Sequence, residues 1–420
     1  MAYDDTEILA VGAGPSNLSL AALAAPIAGV RLTAVEARDS VSWHPGLMWS
    51  TSRLQVSGVK DLVSLVDPRS RFSFVNFLHE HGRLYRHLIA GAEYVSRREF
   101  GQYFGWVAEK VGVRLGETVH ELDHDGSLFV ARTSRGVRRS RSVVLGVGQA
   151  PYLPDCARTI DSPRVWHAAE HLTRGLPATG RTVLLVGGGQ SAGEIALDLL
   201  SQAAGPPRRL IWATGGGGLR PLDDSAFSNE WFNPRFAEYF QRLGAEHRTA
   251  LLGRQSDATC GITGELLTRT YRKLYELDYL SDTPFTHTVL AGSRLTGLRG
   301  GRHGCHATVQ DTVTGEHREY EADLVVLATG FRPAIPDFLA PLRKRLPIRG
   351  DGYEVDRDYR LRWDGPDENR IYVQNAAQRS HGVADPNLGL AAWRSAVILN
   401  SLLGREHYAL KAEDITLSLR

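Results

Sequence analysis

Cysteine is scarce in this sequence. Only Cys156, Cys260 and Cys305 occur in 420 residues, and they lie far apart. This spacing excludes a disulfide framework, a Cys-x-x-Cys redox pair and a zinc site built from paired cysteines. We therefore expect a reducing, cytoplasmic environment.

Long apolar runs and charge of one sign are also missing. No apolar stretch approaches the ~20 residues of a membrane-spanning helix, and the acidic first residues are unlike the basic start of a signal peptide. The net charge is only +2, without a dominant basic patch, so no nucleic-acid partner is expected.

Glycine, in contrast, is abundant. The 43 glycines are about one residue in ten, against a usual ~7%. They cluster after apolar runs, which indicates turns and ligand loops. A chain of 420 residues is also long enough to predict two or three domains.

The first glycine cluster lies in a strand–turn–helix–strand pattern. Strands are predicted over Glu7–Val11 and Val30–Val35, with the turn G-A-G-P-S-N from Gly12 between them. A Gly-x-Gly turn lets the backbone approach a pyrophosphate, which the following helix N-terminus binds. Asn17 stands where a third small residue is usual, so the fingerprint is imperfect. Glu36, 24 positions after Gly12, is near the distance expected for the acid that holds a ribose hydroxyl.

A second unit repeats the pattern. A strand over Thr182–Val186 leads into the turn G-G-G-Q-S-A from Gly187, and the next strand covers Arg209–Ala213. Neither an acid, which favours NAD, nor an arginine, which favours NADP, follows that strand. A late return strand is predicted over Asp323–Ala328.

Two such units favour a flavin–nicotinamide oxidoreductase, although the second unit could be a structural relic. A disulfide reductase is excluded by the missing cysteine pair. The Phe-x-Gly-x-x-x-His fingerprint of Baeyer–Villiger-type monooxygenases is absent as well. Its nearest counterpart, V-W-H-A-A-E from Val165, supplies only His167.

Several further segments together resemble one family. They are S-W-H-P-G-L-M from Ser42, K-D-L-V-S from Lys60, F-S-F-V-N-F-L-H-E-H-G-R-L-Y from Phe72, S-R-R-E-F from Ser96, V-G-G-G-Q-S-A-G-E from Val186, D-D-S-A-F-S-N-E from Asp223, A-T-G-F-R-P from Ala328, H-G-V-A-D-P-N-L from His381 and A-W-R-S-A from Ala392. With the first glycine turn, they resemble the FAD-dependent lysine and ornithine N-monooxygenases of siderophore biosynthesis over residues ~7–408. The lysine branch looks nearest.

The resemblance implies an α/β fold with two Rossmann-like dinucleotide-binding domains, for FAD and NADPH, and a small, mostly helical substrate-binding region. Residues 1–165 and 325–420 would form the FAD-binding domain. Residues 166–219 and 285–324 would bind NAD(P)H, and residues 220–284 would form the helical region.

It also implies a set of site residues. Substrate contacts would come from Lys60, which would grip a carboxylate, and from Asn229 and Gly389. Cofactor contacts would come from Gly12, Gly14, Pro15, Ser16, Asn17, Glu36, Trp43, His44, Gln55, Val119, Gly187, Gly189, Gln190, Ser191, Arg220, Asp385, Pro386, Asn387 and Leu388. No catalytic side chain and no metal is expected.

Structural alternatives remain open for some of these residues. Lys60 could be a surface helix lysine, Trp43 and His44 could be core packing, and Asn229 could cap a helix. For the aromatic segment Phe72–Tyr85, core packing is the favoured interpretation.

Three positions depart from the family pattern. Ornithine enzymes carry Asn-Tyr-Ser where this chain has T-C-G from Thr259, and a serine where it has Gly389. Both changes favour a longer substrate such as lysine. The third departure is Gly215, where the family usually keeps an NADPH arginine. Arg208, Arg209 or Arg220 could replace it, so NADH remains possible.

The expected reaction is N-hydroxylation of L-lysine to N-epsilon-hydroxy-L-lysine, with O2 and NAD(P)H, through a flavin 4a-hydroperoxide. Ornithine, a diamine such as cadaverine or putrescine, or another amino acid are alternative substrates. A non-catalytic nucleotide-binding protein and an uncoupled oxidase are the competing classes. The resemblance further implies a homo-oligomer, a dimer or a tetramer.

Overall fold

The computed structural model describes residues 4–54, 56–91, 95–301, 303–350, 352–411 and 415–419. Its strands in chain order are β1 (Asp4–Val11), β2 (Leu32–Val35), β3 (Val119–His124), β4 (Phe129–Thr133), β5 (Gly136–Leu145), β6 (Gln149–Pro151), β7 (Val165–His167), β8 (Thr182–Val186), β9 (Arg209–Ala213), β10 (Thr286–Leu290), β11 (Ser293–Gly300), β12 (Cys305–Asp311), β13 (His317–Ala322), β14 (Leu324–Leu327), β15 (Phe331–Pro333), β16 (Ile348–Arg349), β17 (Gly352–Tyr353), β18 (Arg360–Leu361) and β19 (Arg370–Val373).

The helices are α1 (Pro15–Ala24), α2 (Phe74–Glu80), α3 (Leu84–Ile89), α4 (Arg97–Lys110), α5 (His171–Arg174), α6 (Gln190–Leu200), α7 (Ala226–Asn229), α8 (Pro234–Arg242), α9 (Ala245–Arg254), α10 (Gly264–Tyr279), α11 (Gln378–His381) and α12 (Ala391–Leu403). Within the described ranges, no helix is both long enough and apolar enough to cross a membrane.

The first sheet follows the order β18-β19-β5-β1-β2, and the β3–β4 hairpin pairs with the start of β5. Strands β2, β1, β5 and β19 run parallel. Both faces are covered, as is usual for parallel sheets. Helices α1, α4 and α12 supply one core, and the hairpin and residues 337–346 supply the other.

The second sheet has the order β10-β9-β8-β14-β7, and its strands are all parallel. All five residues of β8 are buried. Helix α6 packs on one face. The antiparallel sheet β11-β12-β13 packs on the other. The predicted α/β fold class is therefore confirmed.

The chain passes twice between the two sheets. On the way out it forms β6, on the way back β15, and these two strands pair antiparallel. Strand β14 pairs over its full length with β8, and Val165 in β7 pairs with Val325. Strand β14 and Val165 thus pair within the second sheet, whereas the predicted limits of 1–165 and 325–420 assign them to the first domain. The division into domains stays a prediction.

Residues 220–284 hold helices α7 to α10. Helix α10 packs against α6 through Leu266, and Ile262 lies in the same core. A Cβ at Gly193 in α6 would lie 3.0 Å from Ile262 and 3.1 Å from Leu266, so glycine allows the close contact. The helical region is thereby fixed to the helix that follows the second glycine turn.

Candidate active site

Two glycines shape the first turn in different ways. Gly12 has φ +87°, and a Cβ there would lie 2.6 Å from the carbonyl oxygen of Gly146, so only glycine fits between β1 and the end of β5. At Gly14, a Cβ would meet no protein atom within 4 Å. The space in front of α1 is therefore open, at a helix N-terminus whose first N–H groups lack intrahelical partners. This cradle fits a pyrophosphate.

Glu36 lies beside this turn, at the end of β2. Its Oε2 accepts a hydrogen bond from the Ala13 N–H at 2.9 Å, and Oε1 accepts one from the Arg38 N–H at 3.1 Å. Each carboxylate oxygen retains a lone pair, so the group can still accept a ribose hydroxyl. The Glu117 N–H donates a hydrogen bond to the Glu36 carbonyl oxygen at 2.8 Å. This bond places the segment that leads into β3 beside the end of β2. Val119 begins β3 with its side chain in the core, so only its backbone can contact a cofactor.

Asn17 explains the imperfect fingerprint. Its side chain is fully buried, and Nδ2 donates to the carbonyl oxygens of Val11 and Gly12 at 3.1 and 2.8 Å. Oδ1 accepts from Gln374 Nε2 at 2.8 Å. The amide therefore braces the turn itself. Any contact of Asn17 with a cofactor is left to its backbone N–H.

A buried ion pair connects the first turn to the segment after α11. Arg394 in α12, only 2% exposed, lies 3.2 Å from Asp385 and donates to Ser16 Oγ at 2.9 Å. The other Asp385 oxygen accepts from the Ala377 N–H at 2.8 Å. The Asp385 carboxylate therefore faces the protein and holds the segment in place, next to Pro15 and Ser16 at the start of α1. The predicted contact of Asp385 with a cofactor stays a prediction and would involve its backbone.

The second turn follows the same logic. Gly187 has φ +139°, and a Cβ there would lie 2.1 Å from the Ala328 carbonyl oxygen at the end of β14. Gly189, the N-cap of α6, faces open space. Gln190 uses its side chain within the protein: Oε1 accepts from the Thr263 N–H at 3.0 Å, and Nε2 donates to Glu194 at 3.2 Å.

A cavity of about 340 Å³ lies where both units meet the helical region. Eight of the predicted residues line it, and these are Trp43, His44, Lys60, Ser191, Asn229, Pro386, Asn387 and Leu388. Gln55 was also predicted here but lies outside the described residues. Sequence positions as far apart as 43 and 388 therefore form one site.

Lys60 lies in a turn, not in a helix, so the surface-helix alternative is wrong. The Lys60 N–H donates to the Ser57 carbonyl at 3.0 Å. The next residue, Asp61, is buried and accepts from the N–H groups of Val63, Ser64 and Phe74 at 2.9, 2.7 and 2.6 Å. Burial raises the pKa of Asp61, and these bonds oppose the rise. The K-D-L-V-S segment thus fixes the Lys60 backbone beside the cavity.

Asn229 ends α7 and does not cap it, because Ser225 is the N-cap and accepts from the Ser228 N–H. Asn229 Nδ2 donates to the Asp224 carbonyl at 2.8 Å, which leaves the amide oxygen free to accept from a ligand. Gly389, the third predicted substrate contact, lies close to Lys60. A Cβ at position 389 would lie 3.1 Å from Lys60 Cδ.

Trp43 and His44 lie between the two units. Trp43 packs edge-on against Phe104, with ring centroids 5.7 Å apart, and it also lines the cavity. A role in core packing is therefore compatible with a role in the site. His44 has φ 51°, an uncommon conformation for a side-chain-bearing residue. Its ring opens onto the cavity. Burial of the ring, then the charges of Arg97 and Arg38, lower the pKa of His44 to about 4. It is neutral at pH 7.

The adjacent Gly46 allows a tight contact with the second unit. A Cβ there would lie 1.9 Å from the Ala169 carbonyl oxygen, just after β7. His167 at the end of β7 is buried, accepts from the Ala169 N–H at 3.1 Å and lies 3.0 Å from the Gly330 carbonyl. His167 is therefore structural, consistent with the missing Baeyer–Villiger fingerprint.

Arg97 was not singled out from the sequence, although it lies in the S-R-R-E-F segment. It lines the cavity and pairs with Glu194 of α6 at 3.5 Å. Burial raises the pKa of Glu194, and Arg97 opposes the rise. Glu194 and Gln190 line a second cavity of about 500 Å³. The ion pair joins the two units, and each cavity is lined by one of its partners.

Other lining residues carry no single chemical signal in the sequence. Asp223 and Asp224 are the acidic ones, and Leu47, Leu54, Val56, Leu222, Phe232, Ala258 and Phe331 are the apolar ones. The Ser228 and Ser225 hydroxyls lower the pKa of Asp223.

The segment from Thr259 ends at Gly261, where a Cβ would lie 2.4 Å from the Leu222 backbone nitrogen. Glycine there allows the chain to pass close to the cavity wall.

The three arginines proposed to replace the one missing at Gly215 differ in position. Arg208 lies just before β9 and Arg209 begins it. Both are therefore at the end of the parallel sheet opposite the glycine turn, which excludes them as replacements for the missing arginine. Arg220 follows the Gly215–Gly218 loop. Its Nε lies 3.8 Å from where a Gly216 Cβ would stand, and the guanidinium pairs with Asp257 at 2.8 Å. Of the three arginines, Arg220 is the one that lies beside the Gly215–Gly218 loop.

The family model of L-lysine 6-monooxygenase/L-ornithine 5-monooxygenase matches residues 4–333. The chain belongs to this family. It is an FAD-dependent monooxygenase, and the two glycine turns fit its FAD and NADP cofactors.

Within the family, similar proteins are known for different amines. The chain is 35% identical to the L-lysine N6-monooxygenase of Escherichia coli over 96% of both chains. It matches DfoA, a cadaverine monooxygenase of Erwinia amylovora bound to FAD, with TM-score 0.90 and 28% identity, over 98% of this chain and 97% of that one. It matches KtzI, an ornithine N-hydroxylase of Kutzneria sp. 744 with reduced FAD, NADP+ and L-ornithine, with TM-score 0.86 and 27% identity, over 95% and 99%. Family membership therefore leaves the amine open.

Proposed function

We propose that this monooxygenase N-hydroxylates the side-chain amine of L-lysine, in siderophore or other secondary-metabolite biosynthesis. The observation that carries the proposal is that Lys60 and Asn229 both line the cavity. An ammonium group and an amide oxygen in the wall of one cavity match the carboxylate and amino group of an amino acid. A charge-assisted bond from Lys60 to the carboxylate is worth ~1.5–3 kcal/mol.

The cofactors have assigned places in this proposal. The turn at Gly12 and Gly14, with Glu36 beside it, would hold FAD. The turn at Gly187 and Gly189, with Ser191 facing the cavity, would hold the nicotinamide nucleotide. When bound, the flavin accepts a hydride from the nucleotide and activates O2, so that one oxygen atom reaches the amine.

The protein's own residues position the substrate and exclude water. Trp43 and the segment Pro386–Leu388 line the cavity. With a substrate bound, this lining would restrict the access of water to the reacting atoms. The buried Arg394–Asp385 pair holds the segment next to the first turn. No side chain is required as a nucleophile.

The position of the amine in the cavity decides how readily it reaches its reactive form. A free lysine amine has a pKa of ~10.4, so at pH 7 it is protonated and unreactive. Near His44 and Arg97, desolvation and the positive charge of Arg97 would lower the pKa of the amine, as they lower the pKa of His44. Near Asp223 or Asp224, which line the same cavity, the carboxylate charge would raise the pKa of the amine.

Lys60→Ala tests the proposal. For L-lysine, kcat/KM should fall roughly ten- to more than a hundredfold, from the loss of ~1.5–3 kcal/mol. Cadaverine has no carboxylate, so its turnover should change much less. The rate of flavin reduction should stay near that of the wild type. Lys344→Ala removes an exposed lysine outside the cavity and is the matched control.

A diamine such as cadaverine is the second candidate. It is favoured by Asp223 and Asp224 in the same cavity wall, since a carboxylate can bind the distal ammonium of a diamine. Hydroxylamine formation from a panel of lysine, ornithine, cadaverine and putrescine separates the two. If cadaverine outperforms lysine and Lys60→Ala harms neither, the amino-acid proposal is wrong.

A further inference from the structure

Helix α10 has an apolar inner face and an aromatic outer face. Leu266, Thr270 and Leu277 are buried. On the opposite side, Tyr271, Tyr275 and Tyr279 are 74%, 54% and 72% exposed. Their spacing of four residues aligns them along one side of the helix. We call these three residues the tyrosine stripe. Such a row of exposed aromatic side chains is typical of an interaction surface.

Charged residues of opposite sign flank the tyrosine stripe on one side. With about 100° per residue, Arg272 lies about 60° and Glu276 about 100° around the helix from Tyr275, in the same direction. Arg272 is exposed, and no partner for its guanidinium is found among the described residues. Glu276 is exposed and contacts Lys273 of its own helix at 2.7 Å.

We propose that the tyrosine stripe is the interface between two copies of this chain. The two α10 helices would run antiparallel about a two-fold axis at Tyr275. Tyr271 would then lie level with the partner's Tyr279. Arg272 would lie on the same flank as the partner's Glu276, offset by about 3 Å along the axis at 1.5 Å per residue.

The self-complementary arrangement is what selects a second copy as the partner. A two-fold interface uses the same patch twice, so each attractive pair must recur with the roles exchanged. The sequence of α10 meets this condition, since both Arg272–Glu276 pairs form together. A different protein would have to supply its own matching acid and base at these positions.

The available area is also appropriate. About two-thirds of three tyrosine side chains, at ~150–250 Å² each, gives roughly 300–500 Å². A stable interface buries ~800 Å² per partner. The tyrosine stripe therefore supplies about half, and the flanking side chains of Arg272 and Glu276, which are also exposed, add to it.

The proposed interface would be connected to the second glycine turn through helix α6. The Thr263 N–H, immediately before α10, donates to Gln190 at the start of α6. Pairing of two α10 helices would thus hold the helix that follows the nucleotide turn. The three tyrosines are not among the residues that line the two cavities described above.

Sedimentation velocity on the FAD-loaded protein, over a range of concentrations, tests the interface. The wild type should be a dimer or a larger assembly at micromolar concentration. Tyr275→Glu should raise the dissociation constant of that interface at least a hundredfold, because it places two carboxylates at the axis. Far-UV circular dichroism and flavin content should match the wild type, which separates a lost interface from a lost fold.

Charge exchange makes the test specific to the antiparallel arrangement. Arg272→Glu and Glu276→Arg should each weaken the assembly, and the double variant should restore it. Tyr85→Glu is the matched control, since Tyr85 in α3 is 83% exposed. A monomeric wild type, an unchanged mass for Tyr275→Glu, failure of the double variant to restore assembly, or dissociation by Tyr85→Glu would each overturn the proposal.

Discussion

The methylene chain of Lys60 packs against Gly389. Lys60 Cδ lies 3.1 Å from where a Cβ at position 389 would stand, closer than such contacts ordinarily are. The side chain that we assign to the substrate carboxylate therefore depends on the absence of a side chain 329 positions later. Any larger residue at 389 must displace Lys60 or be displaced by it.

Gly389→Ser should accordingly alter the preference between amino acids. The serine side chain would push the Lys60 stem by a few tenths of an ångström, so the carboxylate anchor would move. We expect KM for lysine to rise about tenfold, ~1.4 kcal/mol, and the ratio of ornithine to lysine turnover to increase. Steady-state kinetics with both amino acids measures this.

Gly389→Ala is the control for that experiment, because it adds the Cβ without the hydroxyl. The same shift in both variants would assign the effect to the Cβ, which would lie 3.1 Å from Lys60 Cδ and 3.0 Å from Asn387 Oδ1. Unchanged lysine kinetics in both would mean that Lys60 is not held by this packing.

A bulky side chain in either glycine turn should affect only the binding of the cofactor that is assigned to that turn. Gly14→Val would fill the open space before α1, so the purified protein should lose FAD. Gly189→Val should retain FAD but raise KM for the nucleotide at least tenfold. Neither Cβ meets protein, so both variants should fold. Flavin absorbance and circular dichroism check this. Full flavin content in folded Gly14→Val would contradict the assignment.

The choice of electron donor should depend on Arg220. With glycine at 215, we expect the preference for NADPH over NADH to be less than ~100-fold in kcat/KM, or ~2.7 kcal/mol. Arg220→Ala should reduce whatever preference exists, and Gly215→Arg should increase it, since nothing lies within 4 Å of a Cβ there. If the ratio is unaffected by Arg220→Ala, this arginine does not bind the 2′-phosphate.

The Arg97–Glu194 pair predicts a pH-dependent loss of stability when Arg97 is removed. Burial raises the pKa of Glu194 above its ordinary value of 4.5, and without Arg97 it should rise further. A carboxyl group whose pKa is higher in the folded state binds more protons when folded, so folding weakens as the pH rises above about 4.5. The stability gap between Arg97→Leu and wild type should therefore widen from pH 5 to pH 8.

Urea unfolding at several pH values measures that gap. Loss of one partner of a fully buried pair typically costs ~3–5 kcal/mol, and the cost here should be smaller because Arg97 and Glu194 are only partly buried. The double variant Arg97→Leu/Glu194→Leu should recover most of the stability and lose the pH dependence. Arg97 also contributes to the lowered pKa of His44. Its removal should raise that pKa, which stabilises the folded variant at acid pH and so makes the stability gap smaller there. A gap that is constant with pH would show that the pair is not buried in solution.

The sequence by itself determined the local units of this protein. The strands Thr182–Val186 and Arg209–Ala213 occur with the predicted bounds, and both glycine turns join a strand to a helix as expected. These features depend on neighbouring residues: an apolar run, a glycine that permits a tight turn, and the start of a helix. The combined motifs also sufficed to predict the family, which the family model confirms.

Contacts between distant residues were decided only by the tertiary structure. The return strand was predicted, but its place between β7 and β8 depends on pairing partners more than 130 positions away. The side chains of Gln190 and Asp385 form hydrogen bonds with the protein, so the predicted cofactor contacts of these two residues fall to their backbone. Arg97 carries no signal of its own until α4 packs beside α6. A side chain's direction follows from what surrounds it, and that is set when the chain has folded.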